Sequence, residues 1–136
     1  MIEERFFYIR NQKDIFSAVG EIIKASQEWE MQYKEYAWQE KIALENLDFA
    51  TLNRINKTLF DAKKISEKEF VNLQKVIKLR NYINHEFFLI DFNKDVEFLD
   101  EKLNNIMFLI VEATSLVANM IEKSAGFNSP RATIFD

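Results

Sequence analysis

The stretch VEFLDEKLNNIMFLIVEATSLVANM, residues 96–120, decides the fold. Val96, Leu99, Leu103, Ile106, Ile110, Ala113, Val117 and Met120 recur at steps of three and four, the spacing of one face of an α-helix. Ile106 to Val111 is apolar without interruption, so this helix is expected to be buried on more than one side. Gly126 stands where a left-handed C-cap would close it. Upstream, Asp91 to Lys94 reads as a short polar turn.

Three further helices are expected before it. Ile15, Val19, Ile22, Ser26, Trp29, Tyr33 and Tyr36 share one face of a helix over about residues 11–37. Phe49, Leu52, Ile55, Leu59 and Ala62 mark a second, with Asp48 as its N-cap. The third has the best-defined start. Ser66 and Glu69 form a capping box, and Ile65 and Phe70 occupy the staple positions around it, so the helix starts at Glu67 and runs to about Leu89 or Ile90. The expected architecture is all-α, an up-down four-helix bundle over residues 1–126 with a tail at 127–136.

Composition agrees with few, long helices. The chain has 136 residues, 48% hydrophobic and 14% aromatic, with two glycines and one proline to make turns. It contains no cysteine and one histidine, which removes disulfide frameworks, thiol catalysis and Cys- or His-rich metal centres within one chain; no metal or cofactor is expected. The N-terminus has no signal-peptide core, and the longest unbroken apolar run falls well short of a membrane span. A cytoplasmic protein without a membrane partner is the expectation. The net charge of −4 and pI near 5.2 argue against a broadly basic nucleic-acid surface, though not against a local phosphate pocket.

Projected at about 100° per residue, the third helix breaks its own pattern. Phe70, Leu73, Val76, Ile77, Leu79, Ile83, Phe87, Phe88 and Ile90 fill an apolar half, with Gln74, Lys75, Lys78 and Glu86 opposite. Arg80 and Asn84 nevertheless project into the apolar half, about 40° apart. Asn81 and His85 form a second stacked pair at its border. A charge on a burying face requires a partner. A carboxylate from another helix, a second copy of the chain or a bound phosphate would each serve. The ordinary reading is an ion pair for Arg80 and a hydrogen-bonded imidazole for His85. The functional reading is a guanidinium that holds a phosphate beside an imidazole able to move protons near neutrality.

The motif Arg80-Asn81-x-x-x-His85, on the third long helix of a small all-α chain, resembles that of the HEPN superfamily. The resemblance implies a homodimer in which two copies of the motif face one cleft. Many such proteins are metal-independent endoribonucleases, often toxins or parts of anti-phage systems. On that pattern His85 would act as general base or acid, and Arg80 would hold the scissile phosphate. Asn81 would orient one or the other, with Asn84 and Tyr82 as further substrate-binding or orienting candidates. Attack by the ribose 2′-hydroxyl would leave a 2′,3′-cyclic phosphate, so the substrate would be RNA. An antitoxin protein is a further partner the resemblance implies. Toxins of this family paired with a nucleotidyltransferase carry Tyr two residues after the His; here that residue is Phe87, and Tyr82 lies inside the motif. Non-catalytic members give the alternative, an interaction module that binds a protein partner or a nucleotide.

Overall fold

Asn11 starts the first helix: its backbone is extended, and its side-chain oxygen accepts the amide of Asp14 at 3.0 Å. In the computed structural model, which describes residues 5–44, 47 and 50–126, that helix (α1) spans Gln12–Gln39. It buries Ile15, Val19, Ile22, Ser26, Trp29, Tyr33 and Tyr36, the face read from the sequence. The helix α2 spans Leu52–Asp61 and is capped by Thr51; Asp48, expected as its cap, and Phe49 lie outside the described residues. The Ser66/Glu69 capping box opens α3, Glu67–His85, with both reciprocal hydrogen bonds formed. Asp95 then caps α5, Val96–Gly126, through the amide of Phe98.

The helix expected to run unbroken to Leu89 or Ile90 stops at His85, and Glu86 leaves helical geometry at φ −121°. A single turn, α4 (Phe87–Ile90), follows it. The break sinks Phe87 fully into the core while Phe88, Leu89 and Ile90 turn outward. Gly126, expected as a cap, is the last helical residue of α5, and the residues after it lie outside the described ones. Lysines do that work elsewhere, as Lys41 after α1 and Lys63 after α2 take φ of 54° and 60°. Lys63 and Lys64 close a Schellman turn onto Phe60 and Leu59.

The helices do not alternate up and down. Ile9 meets Asp100 near the starts of α1 and α5, and Glu40 meets Ser124 near their ends, so these two run parallel. The helix α3 is antiparallel to both: Tyr36 reaches the carbonyl of Lys64 before α3, and Phe16 stacks on Phe88 after it. The short α2 lies antiparallel to α3, Asn53 pairing with Gln74 and Asn56 with Phe70. All-α is correct; the alternating order is not, because α2 re-enters beside the end of α1 and makes no return pass down the bundle.

Two polar anchors hold this packing. Asn56, fully buried, accepts the Tyr33 hydroxyl at 2.5 Å and donates to Gln74 and the Phe70 carbonyl. Asn104, also buried, reads the backbone of the extended N-terminal residues, accepting from the amides of Phe6 and Phe7 and donating to the Phe7 carbonyl. Around them Leu99, Leu103, Ile106, Ile110, Ala113, Val117 and Met120 form the buried face of α5. Val96 alone of the expected stripe is exposed. Taken whole, α5 is long and apolar enough to cross a membrane by length and composition, although its unbroken apolar run is short.

Candidate functional site

Antiparallel packing of α1 on α3 brings Glu30 to Arg80. The guanidinium Nη2 lies 2.6 Å from Glu30 Oε1, and Nη1 donates to Asn81 Oδ1 at 3.4 Å. The other carboxylate oxygen of Glu30 takes Lys34 Nζ, one turn along α1, at 3.2 Å. All three charged side chains are only about one-fifth exposed. Two cations meet one carboxylate at a partly desolvated site. Arg80 Nε is buried and without a hydrogen-bond partner. An arginine whose fork is oriented by one carboxylate, and whose Nε is unpartnered, suits a second anion.

Glu30 and Lys34 were not singled out in the sequence. Their signal was weak: an i,i+4 acid–base pair beside Trp29 and Tyr33, at the edge of the buried stripe of α1.

His85 sits at the last position of α3 and is exposed, and its side chain has no hydrogen-bond or ionic partner among the described residues. Asn84 is exposed too and has no such partner, contrary to its expected place on a burying face. Both escape burial because they lie off the side of that last turn that packs the buried Ile83 into the core. From Arg80 to His85 the helix rises about 7.5 Å and turns through ~140°. Within one chain the guanidinium and the imidazole therefore diverge. Asn81 contacts Arg80 and not His85.

Tyr82 faces another direction. Its hydroxyl donates to Asp91 Oδ2 beyond α4, and Lys102 of α5 approaches the same oxygen at 3.6 Å. Lys102 Nζ also lies 4.6 Å from the centre of the Tyr82 ring. Burial, then the bond to Asp91, pushes the Tyr82 phenol above its ordinary range. That bond, aided by Lys102, holds the Asp91 carboxyl below its ordinary value. Tyr82 thus ties the end of α3 to α5 and is turned away from the Glu30–Arg80 pair.

Past His85 the surface becomes apolar. The rings of Phe16, Phe88 and Phe92 touch one another at centroid distances of 5.2–5.5 Å. Phe16 and Phe88 remain about half exposed. Against known proteins, no family model, no curated protein and no solved structure matches this chain.

Proposed function

We propose that this chain is a metal-independent endoribonuclease of HEPN type, acting as a homodimer, with a role as a toxin or anti-phage defence component in the cytoplasm. The observation that carries the reading is the placement of the motif at the surface. His85 is exposed, and Arg80 is 23% exposed and oriented by Glu30. Neither is sealed in the core, where a purely structural pair would be expected.

The chemistry follows from the side chains. Arg80, steered by Glu30 and Asn81, binds a non-bridging oxygen of the scissile phosphate and neutralises charge that builds on it. A neutral His85 removes the proton of the ribose 2′-hydroxyl, and O2′ attacks phosphorus. The P–O5′ bond breaks, and O5′ takes a proton from a second, protonated imidazole. The products are a 2′,3′-cyclic phosphate and a 5′-hydroxyl. One chain holds one histidine, and its Arg80 and His85 diverge, so acid and base come from two copies across a twofold axis.

A second reading is favoured by one observation. Glu30 satisfies Arg80 without any ligand, as in a structural ion pair, and the chain would then be a non-catalytic helical module that binds a protein or a nucleotide. Incubation of total RNA with the parent and with His85→Ala in EDTA separates the two. The nuclease reading expects fragments from the parent alone.

A further inference from the structure

At the end of the bundle away from the motif, α1, α2 and α5 finish and α3 begins around an open cavity of about 620 Å³. Lys41, Lys63, Lys64 and Lys123 line it, against the carboxylates of Glu40 and Glu69. The chain as a whole has the opposite balance, with 18 basic and 22 acidic side chains. An acidic chain that binds a phosphate backbone needs such a local concentration of cations.

Both carboxylates are already engaged. Glu40 takes Lys64 Nζ at 3.5 Å and the Ser124 hydroxyl, and Glu69 accepts the Ser66 amide at 2.8 Å. Lys41, Lys63 and Lys123 are exposed and make no side-chain hydrogen bond or ion pair among the described residues. A cation in the last turn of a helix offsets its dipole, and Lys123 of α5 can serve that way. Lys41 and Lys63 instead sit beyond the C-caps of α1 and α2, and two left-handed turns bring both to the one cavity.

A platform for bases adjoins these lysines. Gln39 and Lys41 also line a second, apolar recess, and Trp38 forms part of its wall. The Trp38 side chain is 73% exposed, whereas Trp29, the other tryptophan, is fully buried. Aromatic faces beside a cationic groove are how proteins hold single-stranded nucleic acid, the bases stacking while the lysines track phosphates. The lysines converge on a concavity, which suits a strand laid between them and not a flat lipid surface.

We infer that this cavity and Trp38 form a second RNA-binding site, which holds a single-stranded segment of the substrate apart from the cleavage motif. From Glu69, on the cavity wall, to His85 the helix α3 rises about 24 Å. One strand must therefore span several nucleotides to engage both places, and the site favours longer RNAs over short ones. The choice of RNA rests on the nuclease reading, but binding at the cavity has its own readout.

The test is fluorescence anisotropy of a labelled single-stranded RNA of ~12 nucleotides with the His85→Ala chain, in which cleavage does not intervene. Lys41→Glu combined with Lys63→Glu is expected to raise the dissociation constant at least ~10-fold. The slope of log affinity against log salt is expected at about −2 to −3, and Lys123→Ala should reduce its magnitude by about 0.7. RNA should quench tryptophan emission, and Trp38→Phe should abolish the quench. Far-UV circular dichroism should stay unchanged, since these side chains are exposed. Lys75→Glu with Lys78→Glu alters net charge equally, on exposed lysines of α3 that do not line the cavity, and should weaken binding much less.

No RNA binding, binding that leaves tryptophan emission unchanged, or equal losses in the two double variants overturns the site. So does tighter binding to anionic lipid vesicles than to RNA, or displacement of the RNA by inorganic tripolyphosphate at matched phosphate concentration. RNA held at the cavity of a parent that cleaves none supports the site and overturns the nuclease reading. Cleavage by the parent with a KM that the Lys41/Lys63 substitutions do not change overturns the site and leaves the nuclease reading standing.

Discussion

Glu30 on α1 and Arg80 on α3 hold each other at 2.6 Å, and Lys34 reaches the same carboxylate from the next turn of α1. This arrangement makes Arg80 a directed group. If Glu30 aims the guanidinium at a phosphate, Glu30→Gln should lower cleavage about tenfold, and Arg80→Ala by ~10²–10³-fold. A pair about one-fifth exposed lies between the surface and buried limits, and Lys34 stays on Glu30 when Arg80 is removed, so the loss should be about 1–2 kcal/mol and the melting temperature should fall by several degrees. Cleavage rates and thermal melts of the two variants check this. A large loss of stability with full activity would assign the pair to structure alone.

Tyr82, Asp91 and Lys102 join the end of α3 to α5, and their effect on stability has a definite sign in pH. The Asp91 carboxyl is held below its ordinary value of 3.8, chiefly by the Tyr82 hydroxyl. The folded state therefore favours the charged form. The resulting stability is fully present above the ordinary carboxylate range and is lost as pH falls through the lowered folded value. Asp91→Asn should make stability less dependent on pH in acid, whereas Tyr82→Phe should cost roughly 1 kcal/mol at neutrality. Urea melts between neutral and acid pH test both.

At the other extreme of pH, Tyr33 governs. Burial, then the nearby Tyr36 and Glu69, raises its phenol well above 10.0. Folding thus favours the protonated form. That stability is complete below the free phenol value and is lost as pH rises from there towards the folded value. Tyr36, pushed to about 12 chiefly by burial, acts in the same direction. Tyr33→Phe should flatten the alkaline limb of the stability curve. At neutral pH it should destabilise by about 1–3 kcal/mol, since the buried Asn56 loses its 2.5 Å donor.

Lys63 closes the Schellman turn of α2 at φ 60°, a region where a side chain costs about 1 kcal/mol. Lys63→Gly removes that cost and should raise stability by roughly 0.5 kcal/mol after the added freedom of the unfolded chain is counted. A drop in the denaturation midpoint would show that the Lys63 side chain makes a stabilising contact.

The helices were legible where a buried face repeats over many turns. The stripes of α1 and α5 and the capping box of α3 come directly from such patterns. Thr51 was missed because the apolar spacing extends to Phe49 and made Asp48 look like the cap. The ends of α1 and α2 were obscured because Lys41 and Lys63, not glycines, adopt the left-handed turn. The break at Glu86 leaves no mark in sequence, since Phe87, Phe88 and Ile90 fit a continuous apolar face. It is also what exposes Leu89. Asn104 carries no periodic signal either, because its role is to read the backbone of residues 6 and 7 from 98 and 97 positions away. At the site, Arg80's need of a partner was legible on α3, but Glu30 was not. Long-range pairing depends on how two helices meet, and one helix's pattern does not contain it.

The most direct measurement is the end-group chemistry of RNA incubated in EDTA with the parent or with His85→Ala. His85 is exposed and without partners among the described residues, so the substitution should change stability by less than about 0.5 kcal/mol. The parent should yield 2′,3′-cyclic phosphate and 5′-hydroxyl ends, and His85→Ala at least ~10²-fold fewer. Equal cleavage by both proteins, or by neither, would contradict the account.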